Sequence, residues 1–150
     1  MNKWVFDFES NFDNQNKNLK ALLGGKGATL VQMNSIDIPV PPGFIISTDY
    51  CREYYENKES DGKERSFYLS DELKKEVREG IKRLEKKLNK KFGIAENNKM
   101  PLLVSVRSGA PISMPGMMDS ILNLGLNDEL VHHIAKVTKN KRFAYDTYRR

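Results

Sequence analysis

Apolar positions fall along this chain in short runs separated by glycine, proline and asparagine. Trp4, Val5, Phe6 and Phe8 predict a first strand with one mostly aromatic face. The asparagine-rich residues 10–18 predict a loop. Leu22 and Leu23 then lead into Gly24, Gly25, Lys26 and Gly27, and Ala28, Leu30, Val31 and Met33 follow at helical spacing. The pattern is a glycine-rich turn running into a helix. Pro39, Pro41 and Pro42 end that helix, and Gly43 to Ser47 predicts a short buried strand. Ser47 or Thr48 can cap a following helix through Tyr50, Cys51, Tyr54 and Tyr55. Its tyrosines are expected in a core, with Cys51 buried or half-buried. Residues 57–67 are polar and predict a surface loop.

Ser70 is placed to cap a long helix, with Asp71 and Glu72 in its first turn. Leu73, Val77, Ile81, Leu84, Leu88 and Phe92 recur at spacings of three and four and give one apolar stripe, with Gly93 as the stop. Leu102, Leu103, Val104 and Val106 predict a strand that delivers Arg107 where the apolar run ends. From Ser108 to Asp119 glycine, proline and methionine exclude regular structure, so a long loop is expected. Ile121 to Leu124 is a second apolar run, closed by Gly125. Asn127 caps a helix through Leu130, Ile134 and Val137, and RFAYDTYRR predicts one more. Alternating helices and short strands make the fold class α+β, with a mixed or antiparallel sheet and flanking helices.

Size and composition narrow the function. The chain has 150 residues, 39% hydrophobic and 30% charged, which suits one domain-sized globular unit. No apolar run approaches the length of a bilayer span, and MNKWVFDFES lacks the basic-then-apolar pattern of a secretory leader. A cytoplasmic location is the resulting expectation. One cysteine excludes an intrachain disulfide framework and a cysteine-based zinc site. His132 and His133 are adjacent, point in different directions on a helix and cannot serve one site. No metal ligand is assigned. The net charge of +5 suits a handler of polyanionic small molecules. Seven lysines crowd the long helix between Lys74 and Lys91, but Glu76, Glu79 and Glu85 interleave and no aromatic lies on the polar face. A solvated face explains them better than nucleic acid or a membrane does.

Two stretches carry candidate chemistry. A glycine turn that opens a helix offers backbone N–H groups and the positive end of the helix dipole, and Lys26 adds a charge there. The spacing is not that of a Walker A loop. Glycines that merely allow close packing would give the same string. Arg107, at a strand end before a small-residue loop, is the second candidate: the strand fixes the charge and the loop lets N–H groups approach an anion. A hairpin with an Arg facing water is the plain alternative.

Together, LLGGKGATLVQM, IPVPPGFIIST, LLVSVRSGAPISMPGMMDSILNLGLND and RFAYDTYRR resemble, in that order, the N-terminal part of the pyruvate, phosphate dikinases. The resemblance covers nearly the whole chain, least securely residues 57–70. Its most specific string is MPGMMD followed by ILNLGL. It implies that residues 1–150 are the N-terminal subdomain of an ATP-grasp nucleotide-binding domain. It also implies an enzyme that converts ATP, phosphate and pyruvate to AMP, diphosphate and phosphoenolpyruvate through a phosphohistidine. By resemblance, Lys26 and Arg107 match phosphate-binding residues, Arg107 in a catalytic role. Gly116 and Met118 match positions of a loop that closes over the phosphates. Ser120 stands where threonine is common. Magnesium is implied, with its ligands and the pyruvate site expected outside this stretch. A homo-oligomeric parent enzyme is expected too. Nothing here matches the carboxylate-bearing half of that fold, and the histidines lie outside the phosphohistidine motif. The stretch alone is therefore expected to be inactive and to belong to a longer chain. Phosphoenolpyruvate synthases share the Gly-Gly-Lys-Gly and Val-Arg-Ser elements and rank second. A non-enzymatic anion or nucleic-acid binder, and a regulatory fragment that pairs with a partner, are the other classes.

Overall fold

One carboxylate ties the first strand to a distant helix. In a computed structural model, which describes residues 3–10, 12, 19–59, 69–110, 112, 116 and 118–150, Glu76 Oε2 accepts the backbone N–H groups of Trp4 (2.9 Å) and Val5 (2.8 Å). Strand β1 (Val5–Asp7) starts at that clamp and pairs antiparallel with β2 (Phe44–Ile46), Val5 opposite Ile46. Helix α1 (Leu19–Ser35) precedes β2, and α2 (Thr48–Glu59) follows it. Helix α3 (Asp71–Leu88) comes next, then β3 (Val104–Arg107), β4 (Ser120–Leu124), α4 (Asp128–Thr138) and α5 (Lys141–Arg149). The α+β class holds, but the described residues form two separate two-stranded antiparallel sheets rather than one larger sheet.

The chain divides into two compact units, the first holding residues 1–80 and 109–115, the second 81–108 and 116–150. In the first, Val5, Tyr50 and Leu73 form a buried cluster, and Trp4, Phe44, Tyr54 and Val77 pack on it. Tyr50 meets Trp4 edge-on at 5.4 Å, and its hydroxyl accepts the Ser70 N–H (2.9 Å). Ser47 Oγ caps α2 by accepting from Tyr50 N–H (3.4 Å), and Ser70 Oγ caps α3 by accepting from Leu73 N–H (3.2 Å).

Three expectations are corrected here. Cys51 is exposed, because Tyr50 and Tyr54, four apart, take the inward face of α2 and leave Cys51 on the flank; Tyr55 is exposed for the same reason. Helix α2 also continues through residues 57–59, which were expected in a loop, while residues 60–67 lie outside the described residues. Helix α3 stops at Leu88, before Phe92 and Gly93. Asn89 takes the left-handed conformation (φ 50°), and Lys90 N–H returns to the Glu85 carbonyl (3.2 Å), a helix ending that asparagine tolerates.

In the second unit Val131, Ile134 and Ala144 make the core, with Met100, Leu103, Leu126 and Ala135 around them. Asn127 caps α4 by accepting Leu130 N–H (2.8 Å), as its position suggests, and Asn140 caps α5 by accepting Phe143 N–H (2.9 Å). Gly125 (φ 102°) follows β4. A Cβ there would lie 2.7 Å from the Phe92 ring and 2.9 Å from the Leu102 carbonyl, so only glycine fits. Phe92 itself is held by Glu85, whose Oε1 accepts its N–H (2.9 Å) while Lys91 pairs with Oε2 at 3.4 Å. That N–H bond first, then Lys91, keeps the Glu85 carboxyl below its ordinary pKa.

Two predictions follow from these clamps. Glu76→Ala should destabilise the first unit by about 2 kcal/mol, since charged acceptors of backbone N–H groups are worth more than neutral ones. Denaturant unfolding followed by Trp4, the only tryptophan, measures it. Glu85 has a lowered folded pKa, so its contribution is complete above the unfolded value of about 4.3 and is lost as pH falls through the folded value. The stability gap between the native chain and Glu85→Gln should therefore be constant from about pH 7 to 5 and close in acid below about pH 4; a gap that persists there contradicts it.

Candidate functional site

Helix α1 is broken in the middle of the glycine turn. Gly24 has φ 71° and ψ 167°, a backbone region essentially closed to side-chain-bearing residues. The helix therefore begins earlier than its apolar spacing suggested, at Leu19, stops at Gly24 and restarts. In an unbroken helix Gly25 N–H would bond to the Ala21 carbonyl four residues back. Here it donates instead to the Ala110 carbonyl (3.0 Å). A Cβ on Gly24 would lie 3.2 Å from the Gly109 carbonyl carbon, so the chain at Gly109–Ala110 passes directly over the break. Residues 24, 25, 109 and 110 all belong to the first unit.

The released Ala21 carbonyl finds another donor. Thr48 Oγ1 donates to the Ala21 carbonyl in a short contact, and to the Leu22 carbonyl at 3.2 Å. Ser47 caps α2, which leaves its neighbour Thr48 for this task. Downstream of the break, Gly27, Ala28 and Val31 are buried, and a Cβ on Gly27 would meet the Ile45 side chain at 3.1 Å. Lys26 is exposed at the start of the restarted helix, as the glycine turn implied.

Arg107 is the last residue of β3, exposed, and opposite Ser120 of β4. It lies in the second unit and Lys26 in the first, so each is placed within its own unit. The base of the loop is closed where Ser108 Oγ donates to the Asp119 carbonyl (3.2 Å). Gly116 is exposed with φ 75°, and Met118 is half-buried. Residues 111, 113–115 and 117 of this loop lie outside the described residues.

Other candidates are less organised. Lys74 pairs with Asp71 at 3.2 Å, and Lys91, just beyond α3, pairs with Glu85 at 3.4 Å, so carboxylates of α3 answer part of the nearby basic charge. An open cleft of about 480 Å³ at its end is lined chiefly by Lys82, Lys86, Lys90, Lys91, Glu85 and Glu96. His132 meets the Tyr145 ring, and His133 bonds to the Lys99 carbonyl (2.8 Å), so the two histidines do face different partners. Among the described residues no three His, Cys, Asp or Glu side chains gather as a metal site.

Residues 20–145 match the family model described as the pyruvate phosphate dikinase AMP/ATP-binding domain. The chain belongs to that family. Proteins named pyruvate, phosphate dikinase are similar to it throughout. That of Clostridium symbiosum is 49% identical over 150 residues, all of this chain and 15% of the relative. That of Entamoeba histolytica is 53% identical over 131 residues, 87% of this chain and 14% of the relative. A chloroplastic one from Mesembryanthemum crystallinum is 50% identical over 148 residues, 99% of this chain and 14% of the relative. The chain thus spans about one seventh of the length of the curated relatives it matches. Among the described residues no helix is long and apolar enough to cross a membrane.

Sequence reasoning missed Thr48 and the Gly109–Ala110 backbone. The signal for Thr48 was a second hydroxyl beside a capping serine, one more than a single cap requires. Nothing in the sequence marked Ala110, because a backbone carbonyl has no residue preference. Gly24→Ala should cost the first unit about 1–3 kcal/mol, the range for a side chain forced into this backbone region. Gly25→Ala, whose Cβ would have its nearest neighbour at 3.6 Å, should cost less than about 1 kcal/mol. Trp4-monitored denaturation of both variants checks the ordering.

Proposed function

We propose that this chain is the leading portion of the ATP-grasp nucleotide-binding domain of a pyruvate, phosphate dikinase. Residues 1–150 form the N-terminal subdomain, and the rest of the enzyme supplies the remaining sites. The observation that carries the reading is the break at Gly24, which sets Lys26 on a fresh helix start inside the matched segment. A helix start favours anions through its N–H groups and dipole, and Lys26 adds a full charge. Arg107 supplies a second, geometrically rigid cation that can hold phosphate oxygens in a bidentate way. Gly116 and Met118 belong to the loop that covers the phosphates, where Gly116 lets the backbone come close. Phosphoryl transfer depends mainly on positioning and on neutralising charge, which is the work of such groups.

In this reading the parent enzyme converts ATP, phosphate and pyruvate to AMP, diphosphate and phosphoenolpyruvate through a phosphohistidine carried elsewhere. Magnesium and pyruvate are bound by residues outside these 150. The protein acts in the cytoplasm as a homo-oligomer, and the 150 residues alone do not turn over.

ATP binding to the full-length protein, measured by calorimetry, tests the proposal. Lys26→Ala and Arg107→Ala should each weaken it about 10- to 100-fold, the loss expected for a charge-assisted hydrogen bond. Lys82→Ala, on the basic helix, should leave it unchanged. Affinity that falls with Lys82 and not with Lys26 or Arg107 would mean a general polyanion surface instead.

A further inference from the structure

We propose that Thr48 is a positioning residue for the Gly25–Lys26–Gly27 turn, holding the break in α1 open by taking over the Ala21 carbonyl that the break releases. The inference deepens the phosphate-site reading of Lys26 and rests on it.

The geometry is a partner exchange. In a continuous helix the Ala21 and Leu22 carbonyls would receive the N–H groups of Gly25 and Lys26. At Gly24 that ladder is interrupted, and Gly25 N–H turns to the Ala110 carbonyl (3.0 Å). Ala21 then lacks its helical donor, and a part-buried carbonyl without one is costly. Thr48 Oγ1 answers it and shares its proton with Leu22 (3.2 Å). Two competing outcomes are thereby separated. With the hydroxyl and the Ala110 carbonyl both in place, the broken form satisfies its backbone groups. Without the hydroxyl, the Ala21 carbonyl draws Gly25 N–H back toward the helical arrangement, and the turn carrying Lys26 loses its fixed direction.

Thr48 is itself well fixed. It is the first residue of α2, next to Ser47, whose hydroxyl caps that helix and is buried. Tyr50, two residues on, is locked in the core against Trp4. A hydroxyl on such a rigid element can hold a turn to the tolerance that phosphate contacts demand. Thr48 touches no phosphate in this scheme, so its effect reaches the nucleotide only through the turn.

The experiment compares Thr48→Val, Thr48→Ser and Lys26→Ala in the full-length protein. Amide hydrogen exchange is read over residues 19–30, and ATP affinity by calorimetry. Thr48→Val should speed exchange around Gly25 to Thr29 by roughly 3- to 10-fold, the equivalent of one hydrogen bond. It should weaken ATP by a similar factor and leave exchange in α4 and α5 unchanged. Thr48→Ser keeps the hydroxyl and should restore both values. Should Thr48→Val not fold, Thr48→Ala removes the hydroxyl without pressing a methyl on the carbonyls and gives the same comparison. Native exchange and native ATP affinity in the hydroxyl-free variants would overturn the inference, and so would a Thr48→Ser protein that behaves like Thr48→Val. Faster exchange with ATP affinity unchanged in both Thr48→Val and Lys26→Ala would uphold the turn-holding role and overturn the phosphate site.

Discussion

A helix can present a new N-terminus in its own middle only if something satisfies the groups that the interruption strands. That constraint shapes the first unit of this chain. Gly24 supplies a backbone conformation that other residues do not adopt, which is a local matter. Keeping the break is not local. It needs the Ala110 carbonyl for Gly25 N–H and the Thr48 hydroxyl for the Ala21 carbonyl. Both come from far along the chain, and both are polar groups that would have to find partners anyway. The break is therefore built from compensated backbone bonds, with strain confined to one glycine.

The same logic recurs where regular elements begin. Glu76 takes the two N–H groups that open β1, and Glu85 takes the N–H of Phe92 just beyond α3. Both glutamates lie on the helix whose surface is dominated by lysine. Their acidic partners thus serve two ends: they relieve the repulsion of a basic face, and they fasten chain segments that have no ladder of their own. A helix read only for its apolar stripe shows its packing and hides these fastenings.

Much of the fold was legible because its signals are local. Caps at Ser47, Ser70 and Asn127 accept N–H groups within their own first turns, so residue type and position suffice. The two hairpin strands around the long loop were visible as apolar runs. Cys51 and the end of α3 were misjudged because periodicity cannot say which of several apolar residues the neighbours will cover, nor that Asn89 will stop a helix four residues before a glycine. Of the candidate site, Lys26 and Arg107 could be picked out by charge beside glycine or at a strand end. The clamp of Thr48 and Ala110 could not, since it exists only once chain segments distant in sequence are brought together.

Lys26 and Arg107 differ in how firmly the described residues anchor them. Lys26 lies two residues beyond the buried Gly24, and the helix that follows buries Gly27, Ala28 and Val31, with Gly27 against Ile45 of β2. Arg107 ends a two-stranded ribbon whose Val106, Ile121, Leu122 and Leu124 are all exposed. A two-stranded ribbon is marginal by itself, and exposed apolar side chains contribute little to its stability. The register of that ribbon is nevertheless what aims Arg107, through its pairing with Ser120 and the bond from Ser108 to Asp119. Lys26 is thus set by packing and backbone bonds within the first unit. Arg107 is set by the register of its ribbon, where apolar side chains remain exposed around it.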